Sequence, residues 1–199
     1  MKTINKATLD FLGDLKENNY REWFIKNRPS YLDAKENFES FVQEVIDDII
    51  DFEPIMKGLE VKSCVYRINR DIRFSNDKSP YKTHFGAFIV RGGKKNGDKF
   101  GGYYIHIEPG NSMIAGGAYM PPAQWLSVIR EKIDEKPGRL IEVINSDDFK
   151  KYFGKIEGEK LKKAPKGYPS DHPNIELLKY KSFLVANEVA DKDVLKSSF

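Results

Sequence analysis

The densest set of chemically competent side chains runs from Arg67 to His84, as Arg67-Ile68-Asn69-Arg70-Asp71-Ile72-Arg73-Phe74-Ser75-Asn76-Asp77-Lys78-Ser79-Pro80-Tyr81-Lys82-Thr83-His84. Arg67, Arg70 and Arg73 recur at every third position, and Lys78 and Lys82 follow. A guanidinium offers paired N–H donors to a phosphate or carboxylate, and an ammonium adds a point charge. Five cations face only two carboxylates in this segment, Asp71 and Asp77. The excess points to an anion clamp of Arg67, Arg70 and Arg73, with Lys78 as an auxiliary cation and Tyr81 as a hydrogen-bond donor. Asp71 and His84 complete the loop's share of the binding set. A plainer reading competes with it: Asp71 and Asp77 neutralise the arginines in a structural salt-bridge network, since a buried Arg needs a partner.

A second constellation lies in Gly102–Glu108, which reads as a strand. Alternation puts Tyr103, Ile105 and Ile107 on one face and Tyr104, His106 and Glu108 on the other. Glu108 can orient His106, and the two are the acid–base candidates of this chain, next to an anion held by arginines. Tyr104 joins the ligand-binding set. His84, at the start of the preceding strand, could add a second imidazole and give a metal site with open positions. The spacing is generic and no fourth ligand is marked, so no metal is assigned and no cofactor is named. The plainer reading of this face is a polar strand surface open to solvent.

Other features carry less. Gly116-Gly117 interrupts a strand and allows a bulge, a close approach or space for an aromatic such as Trp125. Lys160 to Lys181 interleaves lysines with Tyr168, His172 and Tyr180, a pattern that can grip single-stranded nucleic acid. Glu157, Glu159, Asp171 and Glu176 dilute its field, which disfavours nucleic acid as a partner. Trp23 and Phe24 read as core anchors, and Cys64 as a buried thiol rather than a nucleophile. No phosphate-binding Walker loop, Gly-x-Ser-x-Gly elbow, His-Glu-x-x-His or dinucleotide fingerprint occurs.

These groups need a scaffold, and the apolar pattern supplies one. Leu9, Leu12 and Leu15 mark a helix from Thr3 to about Glu17, and a short one follows at Arg21–Asn27. Pro29 suits the first turn of a third helix, whose stripe runs from Tyr31 through Phe38, Val42 and Ile46 to Ile50. Strands are expected at Glu60–Ile68, His84–Arg91, Gly102–Glu108 and Ser112–Met120, joined by short turns and hence antiparallel. Helices return at Pro121, after Pro137-Gly138 and at Asp147–Phe153. An ordered loop over Lys160–Pro173, a helical turn at Ile175–Leu178, a strand at Ser182–Val189 and a helix from Asp191 close the chain. The expectation is one α+β domain over 1–199. It has N-terminal helices at about 3–50, a strand block at about 60–120, and helices, loop and last strand at about 121–199. Its antiparallel sheet of about four to six strands is flanked by helices.

Composition bounds the partners. The chain has 199 residues, 33 basic against 30 acidic, with 40% hydrophobic and 13% aromatic residues. Such a chain can build a core and is not disordered. No apolar run is long enough to span a bilayer, and no apolar stretch of a secretory leader follows Met1, so a cytoplasmic protein without a membrane partner is expected. The lone Cys64 excludes an internal disulfide and a four-cysteine metal site.

The run Arg67-x-x-Arg70-Asp71-x-Arg73-Phe74, followed by Lys78 and Pro80-Tyr81-Lys82, resembles the signature of the bacterial DUF2461 family. Asn19-Tyr20-Arg21-Glu22-Trp23-Phe24, Gly102-Tyr103-Tyr104-Ile105-His106, Lys166-Gly167-Tyr168-Pro169 and His172-Pro173 are similar to that family too, so the resemblance covers essentially the whole chain. It implies a chain short by a C-terminal helix, because members usually run longer. The family's function is unknown, so the resemblance supplies no reaction and no catalytic residue. The functional expectation therefore rests on the residues. It is a small anionic, phosphate- or carboxylate-bearing ligand held between the Arg67–His84 loop and the Tyr104/His106/Glu108 face, with acid–base chemistry as a possible addition. The alternatives are a nucleic-acid or protein-interaction module using 160–181, or a purely structural Arg/Asp network. Oligomeric state is not assigned.

Overall fold

The structure, a computed structural model, describes residues 3–197 and 199. The first helix, α1 (Lys6–Glu17), buries Leu9, Phe11, Leu12 and Leu15 and ends at Asn18. The short α2 (Arg21–Lys26) follows, and then the long α3 (Arg28–Phe52), with Pro29 in its first turn, where proline's missing N–H costs no hydrogen bond. Ala34, Phe38, Phe41, Val42, Ile46 and Ile49 form the buried stripe of α3.

The strand expected at Glu60–Ile68 is not formed. Val61–Cys64 is a helical turn, α4, and only Val65 and Asn69 reach isolated bridges, to Ala87 and Tyr81. Val61, Cys64 and Val65 lie three and four residues apart, a helical period that a short run cannot distinguish from a strand. The Ser63 hydroxyl and amide both bond to the Glu60 carbonyl and favour the turn.

The remaining strands fall close to expectation: β1 (Phe85–Ile89), β2 (Gly102–Ile107) and β3 (Ser112–Ala118). After them come α5 (Ala123–Glu135), α6 (Gly138–Asn145), α7 (Asp147–Tyr152), α8 (Ile175–Leu178), β4 (Phe183–Val189) and α9 (Asp191–Val194). Among the described residues four strands form one antiparallel sheet in the order β1-β2-β3-β4. The fold class is α+β, as the alternation of patterns implied.

Two compact units divide the chain. The first joins Met1–Lys95, Tyr103–Ile114 and Glu188–Phe199. Its core sets α1 and α3 against the inner face of β1 and β2. Phe38 stacks on Phe85 at 5.3 Å, and Ile105 and Ile107 lie buried beside them. Burying one such phenylalanine stabilises the fold by roughly 1.5–3 kcal/mol. Phe24 and Trp23 gather around Phe11, confirming both as core anchors. Cys64 is buried, though in α4.

The second unit joins Asn96–Gly102 and Ala115–Asn187. Arg130 of α5 donates to the Leu178 and Tyr180 carbonyls, and His172 pairs with Asp134 at 2.9 Å. These contacts order the 160–181 stretch. Within it Lys179 pairs with Glu176 and Lys181 with Glu159, while Lys160 also reaches Glu176. Gly117 meets a neighbouring backbone, at Phe183, rather than an aromatic ring. No helix among the described residues is long and apolar enough to cross a membrane.

Candidate functional site

The segment from Tyr66 to His84 is a loop pinched at its base. Arg70 N–H donates to the Pro80 carbonyl at 2.9 Å and Lys82 N–H to the Ile68 carbonyl at 2.8 Å, flanking the Asn69–Tyr81 bridge. Asn19 grips the same point from the α1–α2 turn. Its amide donates to the Tyr81 carbonyl at 2.9 Å and accepts from the Tyr81 N–H at 3.1 Å. The Tyr81 ring is buried face to face on Phe24, centroids 3.9 Å apart. Tyr81, expected as a ligand donor, is thus a ring that anchors the loop to the core.

The three arginines do not converge. Arg70 pairs with Asp77 and donates to the Ser79 carbonyl at 3.3 Å. Arg73 forms a two-pronged pair with Asp71, at 2.9 and 2.7 Å. The Ser79 hydroxyl and amide, with Arg70, hold the Asp77 carboxyl well below the usual carboxylate range. Lys78 donates to the Ile72 carbonyl at 3.1 Å and closes the loop tip, where Phe74 is 96% exposed. Two consequences can be measured by thermal unfolding. The Arg73–Asp71 pair is solvent-exposed and surface pairs contribute little, so Arg73→Ala is expected to leave the midpoint unchanged. Arg70 is half-buried and bonds the loop's own backbone, so Arg70→Ala is expected to lower the midpoint by several degrees. Equal midpoints for the two variants would contradict this division of roles.

Arg67 stands apart. Among the described residues its side chain has no ion pair or hydrogen bond. Lys82 and Asp71 are its electrostatic neighbours: burial, then the charge of Arg67, lowers the Lys82 pKa, and Arg67 adds to the lowering of Asp71 that the Arg73 hydrogen bonds dominate. The Lys82 ammonium sits over the Tyr66 ring at 5.2 Å and has no acidic partner among the described residues.

Next to Lys82 lies the polar face of β2. The β1–β2 register sets Gly86 opposite His106 and Phe88 opposite Tyr104, and one step further sets His84 opposite Glu108. Alternation therefore works as the sequence implied. The face is not open to solvent, however: His106 is 8% exposed, with the His84 ring stacked on it at 4.1 Å. Tyr104 Oη bonds to His106 Nδ1 at 3.0 Å, and His106 Nε2 faces Glu108 Oε2 at 3.1 Å. Gly86 makes room for this row, because a Cβ there would lie 3.1 Å from the Tyr104 hydroxyl.

Electrostatics follow from this packing. Burial raises the Glu108 pKa, but hydrogen bonds from Thr83, Asn111 and His106 outweigh it and hold the carboxyl at about 2. Burial, then His106 and Lys82, lowers His84 to about 4 against the pull of Glu108, so its imidazole is neutral at pH 7. Burial, with Tyr66 and Glu108, pushes Tyr104 up to about 12.

The structure thus brings together His84, Tyr104, His106 and Glu108, with Arg67 and Lys82 beside them. It leaves Arg70, Asp71, Arg73 and Lys78 in the loop's own contacts. Tyr66, Thr83 and Asn111 border the site without having stood out in the sequence. The only signal for Thr83 was its place next to the strand partner of Glu108. No curated protein and no solved structure matches the chain. The model of a family described as a conserved hypothetical protein (DUF2461) matches residues 7–199. That span takes in both the Asn19–Phe24 stretch and the loop it holds, and the chain belongs to the DUF2461 family.

Proposed function

We propose that this protein binds a small anionic ligand, bearing a phosphate or carboxylate, at Arg67 and Lys82 beside the Tyr104/His106/Glu108 face. One observation carries the reading. Two cations lie close enough to repel one another; among the described residues Lys82 has no carboxylate partner, and Arg67 has no ion pair, only the unbonded charge of Asp71. Elsewhere in the same loop Arg70 is paired with Asp77 and Arg73 with Asp71, while Lys78 bonds the Ile72 carbonyl. A bound anion relieves the repulsion and uses the Arg67 fork, while Tyr104 and His84 offer polar edges. The reading is one of binding. Both ring nitrogens of His106 are engaged, by Tyr104 and Glu108, so no acid–base step on the anion is assigned to it.

Thermal unfolding with inorganic phosphate, phosphorylated metabolites and dicarboxylates tests it. An anion at a hundredfold excess over its Kd is expected to stabilise the wild-type chain by about 2.7 kcal/mol. Arg67→Ala and Lys82→Ala are expected to abolish that gain, and Arg73→Ala to keep it. A gain undiminished in Arg67→Ala, or none with any anion, overturns the reading. Salt-sensitive oligonucleotide binding lost on neutralising Lys162, Lys163 and Lys166 would instead favour a nucleic-acid module.

A further inference from the structure

We propose that His84, His106 and Glu108 form a site for one divalent transition-metal ion. The inference goes beyond the anion reading and does not rest on it, since neither Arg67 nor Lys82 is a ligand. One ligand atom from each of the three residues lies within 4.8 Å of the others. The β1–β2 register that sets His84 across from Glu108 and Gly86 across from His106 produces this convergence from two separate strands.

The surroundings are those a metal needs. Tyr104 Oη contacts His106 Nδ1 at 3.0 Å, which fixes the ring and aims Nε2 at Glu108. A ring nitrogen lone pair and a carboxylate oxygen 3.1 Å apart repel unless a proton or another cation sits between them. A metal takes the place of that proton, with Nδ1–H donating to Tyr104. Thr83 donates to Glu108 Oε1 and Asn111 to Glu108 Oε2, so both carboxylate oxygens are held from outside. Such outer partners are what orient metal-binding carboxylates and imidazoles.

His84 supplies the least explained feature. Its ring is half-buried against His106, yet among the described residues neither of its nitrogens makes a hydrogen bond. A neutral imidazole with a free ring nitrogen is the form that ligates. Two imidazoles and one carboxylate suit Zn2+, Co2+, Fe2+ or Mn2+ and leave coordination positions open. Mg2+ and Ca2+ prefer all-oxygen shells. The charge of Lys82 opposes a metal here and that of Glu108 favours it. An anion on the open positions and on Lys82 would tighten both ligands by the same factor.

The test uses the full untagged chain, stripped with a chelator and titrated with CoCl2 while its visible absorption is followed. The expected result is saturation at one Co2+ per chain, displaced by Zn2+. An outer-shell partner typically contributes about 10–100-fold in metal affinity, so loss of a direct ligand in His84→Ala or Glu108→Gln is expected to weaken binding by more than that. Thermal melts in chelator check that each variant folds. His84→Ala removes no hydrogen bond, so it decides the matter if Glu108→Gln proves unstable. Failure to saturate at one equivalent, or undiminished affinity in His84→Ala, overturns the proposal. Phosphate binding to the metal-free chain is measured separately, so either reading can fail alone.

Discussion

A Gly117→Ala chain is expected to lose more than about 4 kcal/mol of stability, the range reserved for gross steric or backbone damage. Gly117 has φ +121, a region that L side chains rarely adopt, and a Cβ built there would lie 2.0 Å from the Phe183 carbonyl oxygen. The obstacle is backbone, so no rotamer change relieves it. Either β4 withdraws or the residue turns out of its conformation. Against a typical total of about 5–15 kcal/mol, the result is a chain largely unfolded at moderate temperature. Gly110→Ala separates sterics from conformation. Its φ of +74 is also left-handed, but a Cβ there meets nothing within 4 Å. It is expected to cost only about 1–2 kcal/mol. Urea unfolding followed by circular dichroism reads both. If Gly117→Ala unfolds within about 1 kcal/mol of Gly110→Ala, the close approach at Phe183 is wrong.

Asn19→Ala is expected to cost about 2–4 kcal/mol and to loosen the candidate site at a distance. The Asn19 amide satisfies both the N–H and the carbonyl of Tyr81 in a half-buried position. Removing it leaves two backbone groups without partners, at about 1–3 kcal/mol each where water cannot replace them. Tyr81 leads directly into Lys82, Thr83 and His84, so its loosening frees the cation, the Glu108 donor and the stacked imidazole together. Amide exchange is expected to accelerate at Tyr81 and Lys82, with the α3 stripe still protected. Asn19→Asp keeps the acceptor for Tyr81 N–H but turns the donor into a carboxylate oxygen facing the Tyr81 carbonyl, so it should not restore wild-type stability. An Asn19→Ala chain as stable as wild type, with unchanged exchange at Tyr81, would show that the loop is held elsewhere.

Much of the fold was legible because its signals are local. The α3 stripe repeats over seven turns, and β1 and β2 are short apolar runs followed by glycine turns, with alternation in β2. The Tyr104/His106/Glu108 face followed from the two-residue period of a strand alone. The misreading of 60–68 has the opposite cause. Five apolar residues at mixed spacing satisfy both periods, and the Ser63–Glu60 contact that decides for a helical turn has no distinctive pattern. Arg67, Arg70 and Arg73 looked alike in sequence, since a regular spacing cannot say which arginine meets an aspartate. Asp71 meets Arg73, and Asp77 meets Arg70, because the loop doubles back on itself. That leaves Arg67 as the arginine of this loop with no ion pair among the described residues.

The sequence by itself determined the helices, the strand faces and the presence of more cations than carboxylates near one loop. Each of these depends on neighbours within a few residues along the chain. Tertiary structure alone decided which cations stay unpaired, that His84 stacks on His106, and that Asn19 holds Tyr81 from 62 positions away. Those outcomes depend on strand register and on which side chains burial removes from water. Both are properties of the packed chain, and no local pattern records them.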